Sequence, residues 1–314
     1  MKILILGGAG FIGSNIAKLF VEQDYKVTII DGILKNTGGN KINLKAIEKK
    51  INFIPKRIEE ICNLEEILDS HDLIIDCMAW TSHKAALENP LYDIELNIAS
   101  HVYYLNKIKS DAKTKIIYLG SRGQYGNPSV KEITEETYMV PEDVQGINKL
   151  AAEQYFRLYA KLKNLNIASI RFPNCFGENQ PYQSDDIGLI GGFVRDLFQN
   201  KKIEVYGDAR KRYIVYVKDL AKLLINIAKT DIKGFQAFNF SGYQITIEEL
   251  VVNLIKIIGK GSYEKKELPP EIKAIDIGDA LFNDEKIKEI VKEFKLTNLS
   301  IALEKTISYF KEKL

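Results

Sequence analysis

Six short, mostly apolar runs in the first half of the chain constrain its fold more than any other feature. They read KILILG, KVTIID, INFIP, DLIIDCM, KIIYLGS and IASIRF, and longer amphipathic stretches separate them. A strand that is apolar without alternation is buried on both faces, which is the environment of parallel strands covered by helices. The sequence therefore predicts an α/β fold with a doubly wound parallel sheet.

After about Phe172 this alternation loosens. Proline, glycine and polar residues interrupt it in PNCFGENQPYQSDD, short strands follow in KIEVYG and RYIVYV, and helical patterns follow in VKDLAKLLINIAK, TIEELVVNLIKII and LSIALEKTISYFKEKL. We predict a first domain over residues 1–172 and a smaller, mixed α/β lobe over residues 173–314. A segment near residues 212–235 is expected to return to the first domain.

The composition excludes several classes of protein. The 44 basic and 42 acidic residues give a net charge of +2, so no global field attracts nucleic acid or an anionic membrane. No apolar run reaches the ~20 residues that cross a bilayer, and glycines interrupt the N-terminal run before it resembles a signal peptide. We expect a soluble, cytoplasmic protein with no nucleic-acid or membrane partner.

The three cysteines, Cys62, Cys77 and Cys175, are far apart in the sequence and have apolar neighbours. This distribution favours buried, reduced thiols over a disulfide framework or a metal site. We therefore expect no bound metal.

A glycine-rich turn follows the first predicted strand in ILILGGAGFIGSNIAKLF. Gly7 permits a tight turn, Gly10 lets backbone N–H groups approach a pyrophosphate, and Gly13 lets the helix pack close to the strand. The next predicted strand ends in Asp31, near the spacing of an acid that binds the adenosine ribose. Because a carboxylate repels a 2′-phosphate, the pattern predicts NAD rather than NADP as the cofactor.

Five further motifs follow one another along the chain up to about Leu250. They are DGILKNTGGNKINL, SRGQYG, QGINKLAAE, RFPNCFG and RYIVYVKDLA. Together with the glycine spacing, they resemble the extended short-chain dehydrogenases/reductases that act on nucleotide sugars, including epimerases, dehydratases and 4-reductases. The resemblance implies a Rossmann sheet, bound NAD and a nucleotide-sugar substrate.

The resemblance also implies roles for individual residues. Ser121 matches the residue whose hydroxyl bonds the reacting sugar oxygen, and Lys149 matches the lysine that bonds the nicotinamide ribose and lowers the pKa of a neighbouring base. Asn174 and Arg212 match residues that hold the sugar diphosphate. The other residues expected to contact a ligand are Arg122 for the substrate and Phe11, Ile12, Ile58 and Asn97 for the cofactor. Arg210 and Lys211 are either further phosphate contacts or solvated charges.

One departure from the family affects the chemistry directly. Gln145 stands where the family has its catalytic tyrosine, and an amide cannot ionise to accept a proton. Tyr138, Asp143 and His83 are candidates to replace it, with Lys149 or water as further possibilities. Tyr125 matches a family tyrosine that is expected to pack.

Two other departures concern specificity. Arg122 and Gly123 occupy the positions of an Asp–Glu pair that manages water elimination in the 4,6-dehydratases, so a dehydratase is disfavoured. Arg57 replaces an aspartate that contacts adenine in many family members. The adenine contact must therefore differ, and Ile58 is a candidate for it.

The leading hypothesis is NAD-dependent oxidation of a secondary alcohol, at C4, of a nucleotide-linked sugar. In this reading the chain resembles enzymes that oxidise GDP-linked heptoses or hexoses for bacterial capsule polysaccharides. The alternatives are a 4-epimerase and a catalytically impaired protein that binds NAD and a nucleotide sugar, with Gln145 either natural or engineered. The resemblance also implies a homodimer formed through YDIELNIASHVYYLNKI and KLAAEQYFRLYAKL.

Overall fold

The protein is described by a computed structural model over residues 1–35, 37–182, 187–206, 211–267 and 280–313. The strands are β1 (Lys2–Leu6), β2 (Lys26–Ile30), β3 (Ile51–Ile54), β4 (Leu73–Asp76), β5 (Lys115–Leu119), β6 (Glu132–Ile133), β7 (Asn166–Arg171), β8 (Asn174–Phe176), β9 (Ile203–Tyr206), β10 (Lys211–Tyr216), β11 (Phe235–Asn239), β12 (Tyr243–Thr246), β13 (Tyr263–Lys266) and β14 (Leu281–Phe282).

The α-helices are α1 (Phe11–Glu22), α2 (Leu64–Asp69), α3 (His83–Glu88), α4 (Pro90–Ile94), α5 (Ser100–Lys107), α6 (Val144–Lys163), α7 (Leu189–Phe198), α8 (Val217–Lys229), α9 (Ile247–Ile258), α10 (Glu285–Ile290) and α11 (Leu299–Lys311). A π-helical turn, Glu95–Ala99, joins α4 to α5. Short 3₁₀ turns include Ile58–Glu60 and Arg122–Tyr125.

Seven parallel strands form the central sheet in the order β11-β7-β5-β4-β1-β2-β3. All six apolar runs of the first half are strands of this sheet, and helices cover both faces. The predicted doubly wound parallel sheet is therefore confirmed, and the chain rejoins the sheet at β11 after the first strands of the C-terminal part.

The first strand shows why these runs carry no polar alternation. Ile3 and Ile5 are buried in the core that contains α1 and α8, whereas Leu4 and Leu6 are buried in the core that contains α5 and α6. Successive side chains point to opposite faces of a strand, and here both faces are covered. The four buried residues of the strand, Ile3 to Leu6, must therefore be apolar, while Lys2 at its exposed start is not.

The C-terminal part adds a third core between α7, α9 and α11. Its strands form a three-stranded sheet in the order β12-β10-β8, with β8 and β10 parallel. Phe11 and Ile12, the first two residues of α1, pack against this core. The glycine turn after β1 therefore lies where the two parts of the chain meet.

The cysteine prediction is wrong for Cys62, which is exposed, while Cys77 and Cys175 are partly buried. Ile61 and Leu64 take the buried positions beside it, so the thiol of Cys62 faces solvent. All three cysteines are free thiols.

Across the described ranges, no helix is both long and apolar enough to cross a bilayer. The same ranges hold no group of three His, Cys, Asp or Glu side chains arranged to bind a metal ion.

Candidate active site

The glycine turn closes tightly on the ends of the neighbouring strands. Gly7 has φ +71°, and its N–H donates to the carbonyl of Ile30 over 2.8 Å. A Cβ atom at Gly7 would lie 2.9 Å from the carbonyl oxygen of Cys77, and one at Gly13 would lie 2.7 Å from the Cα of Gly8. Only glycine fits these positions, and the backbone of the turn is left open to a ligand.

The N-terminus of α1 points into a cleft next to this turn. Gly10 is the N-cap residue and supplies no side chain to the first N–H groups of the helix, which is the usual arrangement for binding a phosphate. The cleft measures about 630 Å³ with the open space at its mouth, and it is lined by Gly7, Gly10, Asp31, Ile58, Cys77 and Met78 among others. These residues fit a dinucleotide whose pyrophosphate sits at the start of α1.

Asp31 ends the second strand at the far side of the cleft. Its two carboxylate oxygens accept N–H groups from Ala9 over 2.9 Å and from Ile33 over 2.8 Å. Burial raises the pKa of Asp31, and the backbone N–H groups offset part of that rise. The two hydrogen bonds fix the carboxylate, which retains lone pairs for the hydroxyl groups of a ribose.

Arg57 lies on the wall of the same cleft but is held by carboxylates. Its Nη2 donates to Glu95 over 2.6 Å and its Nε to Glu59 over 3.2 Å. Ile58, the next residue, is buried and lines the cleft. The structure thus places Ile58 where it can pack against a base, with Arg57 fixed beside it.

Asn97 is fully buried behind the cleft rather than in its lining. Its amide exchanges hydrogen bonds of 2.8 and 2.9 Å with the backbone of Trp80, and it also donates to Asp93 over 2.8 Å. Both amide hydrogens are therefore used within the protein. A direct contact of Asn97 with the cofactor stays a prediction.

Ser121 and Lys149 meet at the end of β5. Ser121 caps the following 3₁₀ turn, and its Oγ accepts the N–H of Gly123 over 3.0 Å. Lys149 Nζ donates to the carbonyl of Leu119 over 3.0 Å and lies 5.0 Å from the ring centroid of Tyr118. The two predicted site residues are thus held at the same strand end.

Lys149 is buried, and burial lowers its pKa. The neighbouring Asp76, Cys77 and Asp93 oppose this shift. Of these three residues, Cys77 also lines the candidate cofactor cleft.

A buried ion pair between Glu153 and Arg171 holds Ser121 in position through Gln124. Gln124 accepts the N–H of Ser121 over 2.7 Å and donates to Glu153 over 2.9 Å. Glu153 in turn binds Arg171 over 2.5 Å and Ser169 over 2.7 Å, and both members of the ion pair are fully buried. The position of Ser121 therefore depends on contacts between α6 and β7.

Tyr125 is part of the hydrogen-bond network around the Glu153–Arg171 ion pair. Its hydroxyl donates to Asn239 over 2.7 Å and accepts from Arg171 over 2.6 Å. Burial raises the pKa of Tyr125 to about 12. A phenol in this state is a structural hydrogen-bonding group.

Gln145 is buried at the start of α6 and binds an acid that the sequence analysis missed. Its Nε2 donates to Asp93 over 2.7 Å, while the other oxygen of Asp93 accepts from Asn97 over 2.8 Å and from Asn148 over 2.6 Å. We call these four residues the Asp93 cluster. The signal for it was an aspartate four residues before Asn97 in the amphipathic helical segment YDIELNIAS.

Two of the three candidate bases come together next to this cluster. Asp143 caps α6 by accepting the N–H of Gly146 over 2.6 Å, and its other oxygen lies 3.1 Å from Nδ1 of His83. The imidazole lowers the pKa of Asp143, although burial opposes this shift. Tyr138 is 84% exposed. His83 and Asp143 therefore form a pair, and Asp143 lies two residues before Gln145 in the sequence. The side chain of Tyr138 is exposed to solvent.

The residues predicted to bind the substrate lie on or next to strands β8 and β10. The N–H of Arg122 donates to the carbonyl of Phe172 over 2.9 Å. Asn174 begins β8 and is paired with Ile214 of β10, the strand that carries Arg212 two residues earlier. Lys211 is exposed at the start of β10, and Arg210 lies outside the described residues.

The chain is similar in sequence to known proteins over most of its length. A model of the NAD dependent epimerase/dehydratase family matches residues 3–240. A putative UDP-glucose 4-epimerase of Methanocaldococcus jannaschii is 30% identical over 270 residues, which cover 84% of this chain and 85% of the relative. The matched family is NAD-dependent, which confirms the predicted cofactor.

Two solved structures are similar over the whole chain. The UDP-glucose 4-epimerase of Thermotoga maritima with UDP-glucose has a TM-score of 0.83 at 25% identity, with coverage of 100% of this chain and 99% of that one. The UDP-N-acetylglucosamine 4-epimerase from Methanobrevibacter ruminantium M1, in complex with UDP-N-acetylmuramic acid, has a TM-score of 0.87 at 24% identity and the same coverage. At 24% identity, the similarity to the Methanobrevibacter ruminantium structure shows a shared fold and no more.

Proposed function

Because the chain belongs to the NAD-dependent epimerase/dehydratase family, we propose that it oxidises one secondary alcohol, at C4, of a nucleotide-linked sugar. NAD, when bound, supplies the acceptor for the hydride that leaves the carbon. The chain's own residues bind the two molecules, orient the alcohol and remove its proton. The observation that carries the proposal is the His83–Asp143 pair beside Gln145.

The proton acceptor in this proposal is His83. Asp143 can only accept a hydrogen bond when it is ionised, so Nδ1 of His83 carries the hydrogen and Nε2 keeps the lone pair. A base oriented by a carboxylate in this way is a recurrent arrangement in proton transfer. The alcohol proton passes to Nε2 as C4 loses its hydride and becomes a ketone.

Gln145 has a positioning role in this scheme. Its NH₂ group is committed to Asp93, so the amide oxygen is turned away from that carboxylate. An amide oxygen accepts a hydrogen bond but no proton. Together with Ser121, it orients the sugar hydroxyl.

The Asp–Glu pair of the 4,6-dehydratases is replaced by Arg122 and Gly123, so water elimination has no acid and base at these positions. A 4-epimerase is the second candidate, since a 30% identical relative and a similar solved structure carry that name. For the dehydrogenase, GDP-linked heptoses and hexoses of bacterial surface polysaccharides are the first substrates to try. Loss of catalysis with retained binding is the remaining alternative.

A screen of UDP- and GDP-linked sugars at saturating NAD tests the proposal. One sugar should produce the near-ultraviolet absorbance of reduced nicotinamide, with a keto-sugar as the product. An epimeric sugar without net reduction of NAD would favour the epimerase. Binding of a sugar nucleotide with neither product would show that the site no longer catalyses oxidation.

We also infer that a second copy of the chain covers an apolar surface on α4 and α6. Leu158 and Leu162 of α6 are 46% and 65% exposed, and Leu91 of α4 is 77% exposed. Large apolar side chains grouped on neighbouring helices are characteristic of protein interfaces. Sedimentation equilibrium should therefore give the mass of a dimer, and a monomer at micromolar concentration would contradict this inference.

A further inference from the structure

Arg122, which follows Ser121 in the sequence, lies near a second arginine, Arg212. Arg122 opens the 3₁₀ turn that follows Ser121, and its backbone is bonded to Phe172 just before β8 begins. Arg212 lies on β10, which is paired with β8. The guanidinium of Arg122 is partly buried, and burial together with the positive charge of Arg212 lowers its pKa. The fold therefore holds two like charges close together.

Within the described ranges, the guanidinium of Arg122 makes neither an ion pair nor a hydrogen bond with another residue. Two other arginines withdrawn from water are neutralised by acids, Arg57 by Glu59 and Glu95 and Arg171 by Glu153. A cation withdrawn from water without a counter-charge is costly, so the site is arranged to receive an anion.

The family resemblance already assigns an anion to Arg212, since Arg212 and Asn174 match residues that hold the sugar diphosphate. Arg122 is placed differently, because it directly follows Ser121 and adjacent Cα atoms are about 3.8 Å apart. If Ser121 binds the reacting hydroxyl, the long side chain of Arg122 can bring its guanidinium fork to the sugar ring. A planar fork of this kind matches a carboxylate with two parallel hydrogen bonds.

We propose that the site takes a nucleotide sugar whose hexose carries a carboxylate, and that Arg122 is the residue that recognises this group. The inference rests on the proposed function, because that function places the sugar beside Ser121. In this arrangement the diphosphate neutralises Arg212 and the sugar carboxylate neutralises Arg122. A neutral hexose leaves Arg122 without a counter-charge.

Calorimetric titration of the full chain loaded with NAD tests this recognition without any need for turnover. The ligands are UDP, UDP-glucose and UDP-glucuronate, with GDP, GDP-mannose and GDP-mannuronate as the second series. The variants are Arg122→Gln, Arg122→Lys and, as the matched control on the other arginine, Arg212→Gln. Thermal unfolding of each variant reports whether the fold is kept, and Arg122→Lys keeps the charge if the glutamine variant is unstable.

In the series that the protein accepts, the uronate should bind more tightly than the neutral hexose. Arg122→Gln should weaken uronate binding by roughly 10- to 100-fold and leave the nucleoside diphosphate unchanged, since a charge-assisted pair is lost. Arg122→Lys should recover part of this loss, and Arg212→Gln should weaken all three ligands alike.

Equal affinity for uronate and hexose in the wild type would overturn the inference. So would an Arg122→Gln variant that weakens UDP or GDP as much as the uronate, because Arg122 would then be a diphosphate ligand. Tight, Arg122-dependent uronate binding without NADH formation would support the inference and contradict only the proposed oxidation.

Discussion

The candidate cofactor cleft and the proposed proton-transfer site are specified in different ways. The cleft depends on backbone geometry within one β-turn-α unit, where Gly7 and Gly13 leave no room for side chains. The proton-transfer site depends on side chains from separate segments, since His83 and Asp93 come from α3 and α4 and meet the start of α6. A position that only glycine fits tolerates few substitutions. A side chain that accepts a proton can instead be supplied by a different helix or strand.

The buried Glu153–Arg171 ion pair holds Ser121 in place through Gln124, and its loss should have the largest effect. Glu153→Gln leaves Arg171 charged and buried without its partner, so we expect the free energy of unfolding to fall by about 3–5 kcal/mol. Urea unfolding followed by circular dichroism measures this. A loss below about 1 kcal/mol would show that Arg171 finds another partner.

The same ion pair sets a pH dependence. Burial raises the pKa of Glu153, but Arg171, Ser169 and Gln124 lower it more, so the folded pKa lies below the ordinary 4.5. The stabilisation is therefore complete above about pH 4.5 and is lost as the pH falls through the lowered folded value. Glu153→Gln should flatten this acid limb, and an unchanged limb would place its origin elsewhere.

The cleft is tested by Gly13→Ala. The added methyl group meets the backbone of Gly7 and Gly8, so we expect a destabilisation of about 1–3 kcal/mol and weaker NAD binding by calorimetry. Gly192→Ala is the matched control, because its Cβ meets only ordinary contacts in α7 and should stabilise by about 0.5–1 kcal/mol. Equal behaviour of the two variants would remove the backbone argument for the cleft.

A smaller effect is expected at Asp31. Asp31→Asn keeps the shape of the side chain and removes the charge that repels a 2′-phosphate, so the preference for NAD over NADP should narrow about tenfold. Fluorescence titration with the two reduced cofactors measures the ratio. An unchanged preference would assign the discrimination to another residue, with Arg57 the first to examine.

The smallest change is predicted for Gln145→Tyr. If His83 already accepts the proton, restoring the family tyrosine should change the rate of NADH formation by less than about tenfold. The new ring would also have to displace the hydrogen bond from Gln145 to Asp93. A rate gain of ~10²-fold or more would show that the position had lost its base and that nothing had replaced it.

The sequence predicted the parallel sheet and the glycine turn because both follow from local patterns. An apolar strand buried on two faces and a glycine with positive φ leave direct marks on the residue types. The Asp93 cluster left only Asp93 and Asn97 in one amphipathic helical segment, since the other two members, Gln145 and Asn148, lie more than 50 residues away in α6. Its identity as a partner of Gln145 required the packing of α4 against α6.

The candidate bases show the same limit. The sequence named His83, Asp143 and Tyr138 as separate possibilities, and nothing in their spacing indicated that the first two would pair. The exposure of Cys62 was missed because apolar neighbours do not specify which residue of a turn faces inward. Side-chain direction in irregular segments is set by tertiary contacts.

Single-turnover formation of NADH with the accepted nucleotide sugar, measured across pH, tests most directly whether His83 is the proton acceptor. Compared with the wild type, His83→Gln should slow this step by ~10²–10⁴-fold at every pH at which the fold is kept, with NAD and sugar-nucleotide binding unchanged. Lys84→Gln, on the next and exposed residue of α3, is the matched control and should match the wild type. A His83→Gln variant that forms NADH at the wild-type rate with the wild-type pH dependence would contradict the account.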